Sequence, residues 1–448
     1  MLTYMLSIFR SLPKSPAECW PDTRLSGILL FSMWGLMLIH TYGLINTSYV
    51  ATVLAWVFVL IELPRLKAKQ RKQILILAGI GMAGAIWAWT QGSQVTLISL
   101  LEEHLKLAML LTAVNFIVLA TRLERSDRLR GFRSFSLTLG GMHLLASIAN
   151  FSSVILVGDQ VQRKDRLDLL SRMILSRGFG LAVLWSPFLS ILPLVLEQVP
   201  AAEIHEIYPY SISLAVLGLA LTLVEARFRC TSSLTQYDGY PLKSSTLRLP
   251  ALLISGVLII AWIYPELPTI AVVSSLAVLV PLIVISLQNG LASGGKKLIG
   301  HVTGKLADAR AEVSLFLSAG LLAGGVKACI GVGLITLPVT STDATVAAAV
   351  MWAIVVLAIL GIHQLALVAI FAGLLADVTT TPTLMAVSYV LATALSMSGS
   401  TFSGLSFILQ ARFHSSAREI LQANLPYTVL MLLAGTAALY LMESLGVR

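Results

Sequence analysis

Charge is scarce in this chain. Of its 448 residues 12% are Asp, Glu, Lys or Arg and 57% are hydrophobic, about half the charged share of a soluble domain, which excludes water as the main solvent. Acidic residues are the scarcer sign, 22 against 31 Lys and Arg, leaving few carboxylates to pair for general acid and base work. Three cysteines, Cys19, Cys230 and Cys329, lie far apart without metal-ligand spacing, so neither a disulfide framework nor a zinc site is expected. There is no phosphate-binding glycine loop ending in Lys-Ser or Lys-Thr, no His-Glu zinc pair and no nucleophile elbow. ATP-driven transport by this chain alone therefore drops out, and the chain is not expected to be an enzyme. The N-terminus, with Arg10, Pro13, Lys14, Pro16 and Trp20 ahead of the first apolar run, lacks the short apolar core and small-residue cleavage site of a signal peptide. The first span is expected to be retained. The formal charge of +9 sits mostly in loop Arg and Lys, which anionic lipid explains without nucleic acid.

What is present is a succession of apolar runs. The expected fold is an all-α polytopic membrane protein of about eleven transmembrane helices and two re-entrant hairpins, since a span needs about 20 apolar residues. A short N-terminal segment (1–24) and a first helix (25–47) precede one unit over 48–228, a linker over 229–248 and a second unit over 249–448. The first unit contains spans near 48–64, 73–91 and 95–121, a hairpin at 134–158, a broken helix at 172–196 and a span at 208–227. In the second, spans near 249–265, 267–288 and 311–340 lead to a hairpin at 344–378, a broken helix at 383–410 and a span at 425–444. Basic loops set the orientation. Arg65 to Lys72, Arg122 to Arg133, the linker, Lys296 to Arg310 and Arg412 to Arg418 fall on one side, expected to be cytoplasmic together with the N-terminus. The C-terminus is expected outside. Each unit then has an odd number of spans and the two are inverted, as in secondary transporters that open one central site to either face. The alternative is an even count of continuous spans with parallel repeats. The stretch 162–171 is expected to lie in the interface as an amphipathic arm.

Two internal matches support the duplication. Gly141-Met142-His143-Leu144-Leu145-Ala146-Ser147-Ile148-Ala149-Asn150-Phe151 matches Gly361-Ile362-His363-Gln364-Leu365-Ala366-Leu367-Val368-Ala369-Ile370-Phe371 at six of eleven positions. A second match pairs Ser186, Pro209, Tyr210 and Gly218 with Ser403, Pro426, Tyr427 and Gly435.

Irregular backbone survives at membrane depth only where it lines protein or a watery cavity, so chemistry is sought at helix breaks. Gly178-Phe179-Gly180 with Trp185-Ser186-Pro187-Phe188 breaks one helix, and Ser396-Met397-Ser398-Gly399-Ser400-Thr401-Phe402-Ser403-Gly404 breaks its partner. Freed carbonyls there can hold a cation, and half-helix amides and hydroxyls an anion; close helix packing by small residues is the other reading. The expected substrate residues are His143, Asn150, Ser152, Ser186, Lys327, His363, Gln364, Ser400, Thr401 and Ser403. Asn150, Ser186, Ser400 and Ser403 double as ion ligands, with no other cofactor or metal expected. His143 and His363 read equally as proton-coupling groups and as residues that hold their hairpins in place. Lys327, mid-span among glycines, either holds a substrate anion or snorkels.

The order of elements resembles the ion transporter superfamily, which includes the divalent-anion:sodium symporters: a lone span, then two inverted units of three spans, hairpin, broken span and span. The resemblance covers residues 25–444. Where the dicarboxylate branch carries Ser-Asn-Thr at each hairpin tip, this chain has Asn150-Phe151-Ser152 and Ile370-Phe371-Ala372. The resemblance implies a homodimer in the inner membrane, a fixed scaffold and a transport domain of hairpins and broken helices. It also implies a small anionic solute moved by symport with Na+ or H+. A cation/proton antiporter on the same fold, or a membrane-embedded enzyme or assembly subunit handling lipid-linked sugars, are the alternatives.

Overall fold

The computed structural model describes residues 23–121, 123–126, 129–335 and 339–448; Cys19, Arg122, Arg128 and nearly all of the N-terminal segment lie outside the described residues. The described chain is all helical. In the first half α1 is Thr23–Thr41, α2 Ser48–Glu62, α3 Ala68–Thr90, α4 Leu97–Glu102, α5 Leu105–Val114, α6 Gly131–Val161, α7 Leu169–Ala182, α8 Ile191–Gln198 and α9 Ile204–Arg229. After the short α10 (Thr231–Thr235) come α11 (Arg248–Ile263), α12 (Thr269–Asn289), α13 (Leu291–Gly304), α14 (Arg310–Gly331), α15 (Ala344–Ile359), α16 (Gln364–Leu375), α17 (Pro382–Gly399), α18 (Gly404–Phe413) and α19 (Ala417–Ser444).

Nine helices among the described residues are long and apolar enough to cross a membrane. Their outer faces carry bare apolar side chains such as Leu287 and Phe228, which is stable only against lipid. The chain is a polytopic membrane protein. The eleven expected spans correspond to elements of the fold, but several are not single long helices, among them the one at 383–410, which is α17 and α18. The span expected at 95–121 is α4 and α5, interrupted at Glu103–His104 where His104 takes a left-handed φ of 63°. The one at 172–196 is α7 and α8, and α11 has 16 residues. The stretch 162–171 is not a continuous helical arm: Arg163 and Arg166 exchange backbone hydrogen bonds (2.8 and 3.1 Å) in a tight turn into α7.

The segment α6 doubles back. A straight 31-residue helix would separate its ends by about 46 Å. Instead the Gly131 amide donates to the Tyr237 carbonyl (2.8 Å), and the Tyr237 hydroxyl meets Ser171 (3.0 Å). The start of α6 thus lies one tyrosine from the start of α7, which the tight turn joins to the end of α6. The reversal falls at Asn150 (φ 46°, ψ −144°). The pair α15 and α16 reverses at Gly361 (φ 111°), and its base is closed by Thr342 with Thr380 and Thr381 (2.8 Å each). Each turn uses a residue type that tolerates positive φ.

Contacts recur between the halves with partners exchanged. The second arm of α6 packs on α18, and α16 packs on α8; α7 crosses α17; α3 lies along α14, and α12 against α5. Close approach needs small residues. A Cβ on Gly81 of α3 would stand 2.6 Å from the Leu322 Cα of α14, and one on Gly180 of α7 would stand 3.0 Å from the Ala394 carbonyl of α17.

The sequence match between Gly141–Phe151 and Gly361–Phe371 is not a structural equivalence. Gly361 is a turn, whereas Gly141 is an interior residue of the first arm of α6, packed on Leu242. His143 and His363 are therefore not symmetry mates.

Candidate functional site

The two helix breaks are built alike. In each, a serine hydroxyl accepts from the amide of a phenylalanine two residues on, Phe188 to Ser186 and Phe402 to Ser400, both 3.1 Å. Each hydroxyl donates to a carbonyl three residues before its own hairpin turn, Ser186 to Ser147 and Ser400 to Ala358 (2.6 Å). A hydroxyl clasp thus ties each broken helix to its hairpin. It makes Ser186 the counterpart of Ser400, not of Ser403. Ser403 caps α18, accepting from Ser406 N (3.1 Å) and donating to the Met397 carbonyl (2.7 Å). The Ser400 carbonyl is taken by the Ser406 hydroxyl (2.6 Å) and the Thr401 carbonyl by Gln410 (2.9 Å). The break at 400–403 has few free acceptors for a cation.

Between the breaks lies a cavity of about 370 Å³. Its wall includes Asn150 and Phe151 of the first turn, His363 and Gln364 of the second, Ser190 and Ile191 where α8 begins, and Met397, Gly404 and Phe407 around the break in α17. Phe179, stacked on Phe151 at 4.9 Å, and Phe316 make much of the remainder apolar, with Glu312 and Leu315 beside them on α14. Lys67, Gln70 and Arg412 also line it; Lys67 is exposed, and Arg412 is paired with Asp159 (2.7 Å). These basic residues mark a mouth.

Of the ten expected site residues, Asn150, His363 and Gln364 line this cavity. His363 accepts from Leu365 N (3.3 Å) as the cap of α16, and Gln364 points its amide toward the Met397 sulfur (3.6 Å). Ser186, Ser400, Thr401 and Ser403 sit behind it as the framework of the breaks. Ser152, beside Phe151, is outside the wall. His143 is fully engaged: the Trp185 indole donates to Nε2 (3.0 Å), which assigns the proton to Nδ1, facing the Gly178 carbonyl (3.2 Å). That is a neutral, positioning histidine. Lys327 lies apart and pairs with Glu103 (2.7 Å).

Two residues outside the expected set carry weight. Glu312 brings the acidic group to the cavity wall; in sequence it opens the span expected at 311–340, two residues from Arg310. Arg177 is fully buried and holds Glu225 (2.7 Å), the Ala423 carbonyl (2.6 Å), Asn424 (3.3 Å) and the Tyr427 ring (4.2 Å). It ties α7 to α9 and α19.

No family model and no curated protein matches the sequence. Among solved structures, the YdaH transporter of Alcanivorax borkumensis aligns over 94% of this chain and 86% of that one, at 12% identity and a TM-score of 0.38. At those values the likeness assigns neither family nor activity.

Proposed function

We propose that the chain is a secondary active transporter whose central cavity holds a small solute and opens alternately to the two faces of an inner membrane. The observation that carries this is the composition of the cavity wall: both hairpin turns and both helix breaks meet there, so movement of either pair reshapes the site. In this reading the units over 48–228 and 249–448 are inverted repeats with re-entrant hairpins, and the mouth at Lys67 and Arg412 faces the cytoplasm. The N-terminus is then cytoplasmic and the C-terminus outside. The homodimer is part of the same proposal.

The wall suits a solute with an apolar body lying against Phe151, Phe179, Phe316 and Phe407, its polar end meeting Asn150, His363 and Gln364. An anionic solute is the first form of the proposal, with Lys67 as its entry cation and Na+ or H+ as driving ion. A cation/proton antiporter is the second, favoured by the carboxylate of Glu312 in the wall. The test is uptake into proteoliposomes by solutes first selected for raising the Tm of the purified protein. Gln364→Ala and Asn150→Ala are expected to remove both the Tm shift and the uptake. Lys67→Ala is expected to lower uptake of anions and to leave cation antiport unchanged. Absence of any solute flux under pH, sodium or voltage gradients would contradict the transporter.

A further inference from the structure

Glu312 stands on the first turn of α14, half-buried, in a wall whose neighbouring positions on the same helix, Ala311, Leu315 and Phe316, are apolar. Among the described residues no ion pair or side-chain hydrogen bond reaches its carboxylate. The nearby cations are committed elsewhere. Arg310 holds Glu62 and Asp308 (3.2 Å each), Arg412 holds Asp159, and Lys69 lies over the rings of Phe402 and Phe407 (4.6 and 4.5 Å). The other titratable groups facing the cavity are Lys67 at the exposed mouth and His363, whose Nδ1 is used by the α16 cap. A carboxylate in apolar surroundings with no fixed cation must take up a proton or a mobile cation. A metal ion would need several further oxygen ligands, and no group of three or more His, Cys, Asp or Glu side chains able to hold one exists among the described residues.

We propose that Glu312 is the group that binds and releases the coupling proton, an inference that rests on the transporter reading above. With the cavity open to one face, a hydronium ion gives its proton to a Glu312 carboxylate oxygen and leaves water; with the cavity open to the other, water takes that proton back. The neutral acid is the form that crosses in the occluded state, because a bare carboxylate there is the costlier one.

The test has two arms. In the first, the purified full chain in lipid nanodiscs is treated at mildly acidic and mildly alkaline pH with dicyclohexylcarbodiimide, which adds to protonated carboxyls in apolar surroundings. Modification is located by peptide mass spectrometry. Labelling of Glu312 that is lost on going alkaline is expected, with Glu103, paired to Lys327, unlabelled. In the second, Glu312→Gln is expected to abolish uptake driven by a pH gradient while retaining solute counterflow, which needs no net proton movement; Glu312→Asp is expected to restore the driven uptake. Absent or pH-independent labelling of Glu312, or driven uptake that survives Glu312→Gln, overturns the proposal. Titrating labelling with no flux of any kind in the unmodified protein overturns the transporter reading and, with it, the coupling role.

Discussion

The first broken helix and the second do the same job with different chemistry. Counting nine residues back from the clasp serines, α7 has Arg177 where α17 has Leu391. Arg177 is anchored through charge and hydrogen bonds to Glu225, Ala423 and Asn424; Leu391 is anchored by apolar packing in a helix that is wholly enclosed. The turns differ likewise: Asn150 brings an amide side chain to the cavity, whereas Gly361 brings none and leaves polarity to His363 and Gln364. The duplicated feature is therefore the backbone geometry of clasp, break and turn. Each half reaches it with its own residues.

The anchors give the largest expected contrast. Arg177→Met should destabilise the protein by about 1–3 kcal/mol for each buried acceptor it leaves unpaired, the Ala423 carbonyl and Asn424, while part-exposed Glu225 keeps Arg229. Leu391→Met should cost under about 1.5 kcal/mol as a volume-conserving change. Denaturant or thermal unfolding of the two variants in one detergent measures the difference, and equal losses would erase the distinction between charged and apolar anchoring.

The turns come next. Gly361→Val places a β-branched side chain at φ 111° and should cost toward the upper end of about 1–3 kcal/mol. Asn150→Gly should leave Tm nearly unchanged, because glycine accepts its φ at least as well, while weakening solute binding. A Tm loss in Asn150→Gly as large as that of Gly361→Val would mean that the Asn150 side chain holds the turn rather than the solute.

The clasps should be the most alike. Ser186→Ala and Ser400→Ala each remove a hydroxyl that donates to a hairpin carbonyl and accepts from a phenylalanine amide, about 1–3 kcal/mol apiece, and the double variant should show nearly additive losses because the clasps share no partner. A marked excess in the double variant would show that the two breaks move as one unit.

Much of the architecture was legible from hydropathy and breaker residues. The hairpin expected at 134–158 is α6, Gly131–Val161, and the one at 344–378 is α15 with α16. The breaks fall where Ser186-Pro187 and Ser400 to Gly404 interrupt apolar runs, because proline removes a helix hydrogen bond and serine supplies the replacement. The register of the duplication was not legible. Glycine and histidine serve a turn at Gly361–His363 and close helix packing at Gly141–His143, so identity in sequence matched unlike environments. The break at Glu103–His104 has no glycine or proline to announce it. Glu312 escaped for a related reason: it opens the span expected at 311–340, next to the basic loop ending at Arg310, and only the fold brings its helix face to the two turns. Asn150, His363 and Gln364 were recoverable because polar groups within apolar hairpins are costly unless they face a cavity.

The central claim is that the two hairpins enter from opposite faces, and single-cysteine labelling at their exposed bases tests it most directly. On a background lacking Cys19, Cys230 and Cys329, Gln160→Cys marks the base of the first hairpin and Asp377→Cys that of the second, both at exposed positions. Intact cells treated with an impermeant thiol reagent should label Asp377→Cys from outside, and Gln160→Cys only after the inner face is opened. Labelling of both from the same face would contradict inversion and, with it, the two-sided cavity.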